Sequence, residues 1–242
     1  MESMINEIIP AFVEEHKDMN VTYSGIGSNA GIQSLLSDEA DLVALSRAPT
    51  AQEMEQLQQK GEIELYEIGH DGVTIIINRS NHTERLTMEE LRSIFSGKTT
   101  HWNSGQDAEP IAVYTRDINS GTYNFFKNHV LDSFEYSLNA KRSASNEEIV
   151  SGVQHNSGAI GYVGLNFNKG DVKSVALSSD GGKTYFENSR QNIRNHNYPL
   201  TRPLYIAYYK KNQTAVQPFV QFILSDKGQS IIDISGFLSI TK

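Results

Sequence analysis

A chain of 242 residues with 38% hydrophobic content is long enough for one large or two modest cores, and no apolar run approaches the ~18 residues of a membrane-crossing helix. The formal charge of −8, with 21 Lys and Arg scattered among 29 Asp and Glu, argues against a broad nucleic-acid surface but leaves room for one small buried anion site. Cysteine is absent, which excludes a disulfide framework, a thiolate metal site and a cysteine nucleophile.

Ile5, Ile8, Ile9, Phe12 and Val13 recur at helical spacing, so the chain is expected to open on an amphipathic helix with no strand before it. Glu2, Glu7, Glu14 and Glu15 do not fit a secretion signal. "VTYSGIGSNAGIQSLL" predicts a short strand, a glycine-rich turn and a second helix with Ser28 as its N-cap. "DLVALSRAP" predicts a strand ending in a polar turn, and Thr50 with Glu53 a capping box for a helix that Gly61 closes. "IELYEI" and "GVTIIIN" read as two strands, the second an apolar run suited to a buried parallel position.

A second block begins near Asn78. Thr87 and Glu90 predict a cap for the helix "MEELRSIF", which Gly97 ends, and "PIAVYTRD" predicts a strand leading into "INSGTYNFF". Ser145 and Glu148 predict another capped helix, "GAIGYVG" a strand, and "VKSVALSSDGGKTY" a hairpin-like excursion with a Gly-Gly turn. After about Asn195 come the strand "RPLYIAYY", an apolar helix around Val216, Phe219, Val220 and Ile223, and a last short helix capped by Ser225. Alternating strands and helices argue for an α/β fold.

Three polar turns, "SGIGSNAG", "ALSRAPT" and "RDINSGT", each lie between a predicted strand and a predicted helix. A helix start leaves backbone N–H groups unpaired, so hydroxyls and glycines placed there can surround a small anion with donors. Gly121 lets the backbone approach closely, Ser120 and Thr122 add hydroxyls, and Arg116 can fork onto two oxygens. One such turn alone reads more often as a helix cap.

Taken in order, "YSGIGSNAGIQSLLSDEADLVALSRAPT", "GHDGVTIIINRSN", "LTMEELRSIFSGKTTHWN", "PIAVYTRDINSGTYNFF", "SNEEIVSGVQHNSGAIGYVGL", "YPLTRPLYIAY" and "VQFILSDKGQSIIDISGF" resemble the phosphate-binding protein of bacterial phosphate ABC transporters across almost the whole chain. The resemblance implies a type II periplasmic-binding-protein fold, two α/β lobes joined by two crossovers that close by a hinge on a ligand cleft. Residues 1–74 with 197–242 would form lobe one and residues 75–196 lobe two. It implies inorganic phosphate as ligand, a transporter permease as partner, no cofactor, no catalysis, a monomer, and a periplasmic or cell-surface location. Position by position, the family's glycine-rich serine turn matches Ser28, its post-strand turn matches Ser46 and Arg47, and its Arg-x-x-x-Ser-Gly-Thr motif matches Arg116, Ser120, Gly121 and Thr122.

Two departures from the family pattern carry expectations of their own. The family's first strand and Gly-Ser-Thr-like loop have no counterpart ahead of the first helix, from which a destabilised lobe one is expected. Some relatives carry a proton-accepting aspartate where this chain has Ser46, so Asp71 in "GHDG" is expected to line the cleft and favour phosphate over sulfate. Plainer readings stand beside these. Asp71 reads also as a turn residue, Arg47 as the partner of a carboxylate across the cleft, and Trp102 as a packing residue; the seven histidines lack metal-ligand spacing. Alternative functions are a sensor or interaction protein derived from the receptor, a binder of another tetrahedral oxyanion, and a phosphate-ester hydrolase using Ser120, although no His or Lys lies near that serine in sequence.

Overall fold

The computed structural model describes residues 1–102, 109–132, 134–167 and 172–240. In chain order its elements are α1 (Glu2–Glu15), α2 (Ser28–Leu36), β1 (Val43–Leu45), α3 (Ala51–Lys60), β2 (Ile63–Asn78), β3 (Arg85–Thr87), α4 (Met88–Phe95), β4 (Ala112–Arg116), α5 (Gly121–Phe126), β5 (Lys141–Ser143), α6 (Asn146–Gln154), β6 (Ala159–Gly164), β7 (Val172–Ser174), β8 (Ala176–Ser178), α7 (Arg190–Arg194), β9 (Thr201–Tyr209), α8 (Gln213–Leu224) and α9 (Asp226–Ile234). A π-helical turn, Lys127–Leu131, continues α5.

Local chemistry sets the helix starts. Thr50 and Thr87 accept hydrogen bonds from the N–H groups of Glu53 and Glu90, whose carboxylates accept from the cap N–H groups in return, completing the two predicted capping boxes. Ser145 and Ser225 cap α6 and α9 in the same one-sided way. Ser28 differs from expectation: Gly27, at φ +85°, is the N-cap, and Ser28 is the first helical residue, its side chain free to point elsewhere.

The chain divides into two compact units, residues 1–71, 119–121 and 202–242 in one and residues 72–118 and 122–201 in the other. The expected boundaries lay at 74/75 and 196/197.

In the first unit the sheet runs β1–β9–β2, with β1 antiparallel to β9 and Ala44 opposite Ile206. The apolar stripe of α1 buries Met4, Ile8 and Phe12 completely against Leu204 and Ile206 of β9, Phe219 and Ile223 of α8, and Ile232 of α9. The Phe12 ring meets Phe219 and Phe222 edge-on at 5.0 and 5.6 Å. A second cluster joins Ile32 and Leu35 of α2 to Leu45, Leu57 and Tyr209. Val21–Gly27, expected to begin as a strand, is in no strand, and all of it but Val21 is exposed. A strand requires a ladder partner, which an alternating sequence does not supply by itself.

The two expected strands "IELYEI" and "GVTIIIN" are one 16-residue strand, β2. The chain does not turn at "GHDG", because His70 exchanges both backbone hydrogen bonds with Leu238, at 2.7 and 2.9 Å. Gly69 permits that pairing, since a Cβ there would lie 2.7 Å from the Leu238 carbonyl oxygen.

In the second unit the apolar half of β2 lies antiparallel to β6 and β7, against the expected parallel position. A continuous apolar run reports burial of both strand faces, and direction is a separate matter that topology decides. β4 is parallel to both β6 and β5, and Ile149 and Val153 of α6 cover Ile76, Ala159 and Val163. The "VKSVALSSDGGKTY" segment is hairpin-like only beyond β8. β7 pairs β2, β8 pairs β3 in parallel, and the Leu177–Phe186 bridge then closes over Gly181 and Gly182, both at positive φ.

Candidate functional site

In the first unit, three of the predicted residues come together. Ser28 is buried, and its Oγ accepts the backbone N–H of Ser46 at 3.0 Å, so the turn after β1 is tied to the first turn of α2. Gly121 lies directly against this pair: a Cβ there would stand 2.3 Å from Ser28 Oγ and 3.1 Å from Ser46 Oγ. A side chain at 121 would therefore displace both hydroxyls, which is the physical reason for glycine in Ser-Gly-Thr. The same approach explains Gly27, whose added Cβ would meet the Asn119 carbonyl oxygen at 2.5 Å. Ser120 is buried beside them.

Arg47 sits next to this cluster, and its guanidinium is engaged within the unit. Nη1 and Nη2 donate to the two Glu53 carboxylate oxygens at 2.7 Å each, Nη2 to Asn29 Oδ1 at 2.6 Å, and Nη1 to the Ala48 carbonyl at 2.9 Å. The carboxylate partner comes from α3, six residues on, in place of one across a cleft. Burial alone pushes the Glu53 carboxyl up, but the hydrogen bonds from Arg47 and from the Thr50 N–H outweigh it and hold the group below its ordinary value of 4.5. Glu53 thus caps α3 and clamps Arg47 at once; the sequence signal for the cap was present, that for the clamp was not.

Asp71 is nearly inaccessible, at 1% side-chain exposure, and its Oδ2 accepts from Arg202 Nη2 at 2.6 Å and Nε at 3.1 Å. It lies in a strand, in place of a turn, and pairs with an arginine 131 positions away. No spacing in the sequence points from Asp71 to Arg202.

In the second unit, β4 ends at Arg116 and α5 begins at Gly121, with buried Thr122 in its first turn. Arg116 Nη2 donates to the Ala144 carbonyl at 2.8 Å and stands 3.8 Å from Asp117 Oδ2. The Ala144 N–H in turn donates to Glu148 of α6, so the guanidinium is fixed to the β5–α6 turn. Beneath it lies a hydroxyl cluster of Thr115, Tyr136 and Tyr162. Trp102 donates its indole N–H to the Gly158 carbonyl at 2.9 Å, a packing role. Among the described residues no group of three or more His, Asp or Glu is placed to hold a metal ion.

In the first unit, a serine hydroxyl that accepts a backbone N–H and a glycine that admits close approach lie together at a helix start, an arrangement suited to a small oxyanion. Comparisons with known proteins identify the family. Residues 1–227 match the PBP superfamily domain. The chain is 34% identical over 250 aligned positions to the phosphate-binding protein PstS of Staphylococcus saprophyticus, covering 99% of this chain and 77% of that relative, and 30% identical to its namesake in Staphylococcus aureus over 94% of this chain and 72% of that one. Among solved structures, a putative phosphate ABC transporter substrate-binding protein with bound phosphate from Clostridium perfringens superimposes at TM-score 0.85 with 28% identity, covering 98% and 95% of the two chains. An ABC-type phosphate transport receptor from Vibrio cholerae superimposes at TM-score 0.82 with 26% identity, covering 97% and 94%. The chain belongs to the PstS family of phosphate-binding proteins within the PBP superfamily and has the type II periplasmic-binding-protein fold.

Proposed function

We propose that this protein binds inorganic phosphate, through Ser28, Ser46, Arg116, Ser120, Gly121 and Thr122, as the substrate-binding component of a phosphate ABC transporter. The observation that supports this most is the approach of Gly121 to the Ser28 and Ser46 hydroxyls, which joins motif residues 93 positions apart in sequence, at 2.3 Å from a Cβ position to Ser28 Oγ. Arg47 and Asp71, each held in a buried ion pair, act in this reading as frame residues and not as ligands. In this reading the protein acts as a monomer outside the cytoplasmic membrane, hands phosphate to a membrane permease and binds without catalysis; that its relatives are named as binding proteins supports the reading.

Isothermal titration of the protein with inorganic phosphate tests the reading: saturable one-to-one binding is expected, and no heat at millimolar phosphate would overturn it. A second reading, selection of another tetrahedral oxyanion, is favoured by the serine at position 46, where some relatives have a proton-accepting carboxylate. Competition between phosphate and sulfate separates the two. Incubation with a phosphate monoester, from which no phosphate release is expected, tests the absence of hydrolysis.

A further inference from the structure

The hydroxyl cluster beneath Arg116 touches both sides of the motif turn. Tyr162, fully buried on β6, places its hydroxyl 2.6 Å from Thr115 Oγ1 and 3.0 Å from the Tyr136 hydroxyl, and accepts the Arg116 backbone N–H at 3.3 Å. The Tyr136 hydroxyl donates to the Tyr123 carbonyl, in the first turn of α5, at 3.1 Å. Stacked rings hold both tyrosines in place: Tyr162 lies on Phe126 at 4.3 Å, and Tyr136 on Tyr123 at 4.6 Å.

A count of protons gives the cluster a direction. The Tyr123 carbonyl can only accept, so the single proton of Tyr136 goes there. Tyr136 must then accept from Tyr162, and Tyr162 accepts from Thr115 and from the Arg116 N–H. The other arrangement turns Thr115 toward the Arg116 carbonyl at 3.5 Å, the outer limit of a hydrogen bond, and leaves two phenol oxygens facing each other without a proton between them. Burial raises both phenols, Tyr162 to about 12, so both keep the proton this chain requires at neutral pH.

We propose that Tyr162, acting with Tyr136, is a positioning residue for the anion site: one end of the hydroxyl chain fixes the main chain at Arg116, the other fixes the start of α5, and the residues 117–122 between them are thereby held in the geometry that presents Arg116 and Thr122. The inference rests on the phosphate-binding reading given above. It assigns to two buried tyrosines control over how well a neighbouring turn is pre-formed.

The test uses Tyr162→Phe, Tyr136→Phe and, as a milder third variant, Thr115→Val, each in the whole protein. Amide hydrogen exchange is measured without ligand and phosphate affinity by calorimetry. Tyr162→Phe is expected to speed exchange at Arg116 and at residues 120–123 by about tenfold while the Ile75–Ile77 amides of β2 keep the parent's rates, and to weaken phosphate binding about tenfold. Tyr136→Phe should speed exchange mainly at the start of α5 and weaken binding about threefold. Parent-like exchange at Arg116 overturns the proposal, and so does uniform acceleration that includes β2, which would mark a general structural role. Faster local exchange with unaltered phosphate affinity overturns it equally. If the parent protein takes up no phosphate, the functional reading fails, and exchange at Arg116 alone then decides whether the tyrosine holds the turn.

Discussion

Two turns of this chain follow a strand and carry an arginine, and they hold it with different chemistry. Arg47, after β1, faces a carboxylate fork: Glu53 takes both Nη groups at 2.7 Å, so its charge is neutralised inside the unit. Arg116, at the end of β4, is oriented by a main-chain carbonyl, that of Ala144 at 2.8 Å, while Asp117 stands at 3.8 Å. A carbonyl fixes the direction of a guanidinium without cancelling its charge; a carboxylate at contact distance does both. The difference teaches that an arginine beside an anion motif is to be judged by its partner. The first arginine meets a carboxylate at contact distance, and the second is directed by a main-chain carbonyl with a carboxylate farther off.

The sharpest way to break this comparison is to remove each arginine. Arg47→Ala removes the guanidinium that donates to Glu53 and Asn29 in a largely buried setting, and a stability loss of about 3 kcal/mol is expected in urea unfolding. A variant as stable as the parent would dissolve the contrast. Arg116→Ala is expected to keep stability within about 1 kcal/mol and to weaken phosphate binding by at least about thirtyfold, read by calorimetry. Parent-like affinity would remove Arg116 from the site.

Acid should act on the first arginine's turn through Glu53. Its folded-state pKa lies below the ordinary 4.5, so the stability it contributes is fully present above that value and is lost as pH falls through the depressed one. Thermal melts of the parent and of Glu53→Gln should therefore stay apart at pH 7 and converge as pH falls through the depressed value. Curves separated by a constant interval down to pH 3 would show that the clamp is not what titrates. The smallest effect is expected from Asp71→Asn. Because Asp71 is turned to Arg202, the ratio of phosphate to sulfate affinity should shift by less than about twofold, whatever the variant loses in stability. A larger shift would return Asp71 to the anion site.

Much of the site and frame could be read from residue order, for reasons of range. The caps at Thr50, Thr87, Ser145 and Ser225 depend on atoms three residues apart, and the stripe of α1 on the period of one helix, so local sequence contains everything they need. The motif residues could be named because Arg-x-x-x-Ser-Gly-Thr and its companion serine turns are themselves short. What lay beyond reach depends on partners far along the chain. Asp71 meets Arg202 at a separation of 131, and Tyr162 meets Arg116 at 46; no spacing rule connects them.

The sequence by itself determined the α/β class, the family and the helix caps at Thr50, Thr87, Ser145 and Ser225, because each rests on contacts within a turn or on a pattern carried in order. Tertiary structure decided the rest. It made one strand of two at "GHDG" through pairing with Leu238, ran β2 antiparallel to β6, left Val21–Gly27 without a ladder, and gave Arg47, Asp71 and Tyr162 their partners. The physical reason is common to all of these: a charge, a hydroxyl or a strand edge buried away from water must find its complement, and which complement it finds depends on what the fold brings to it.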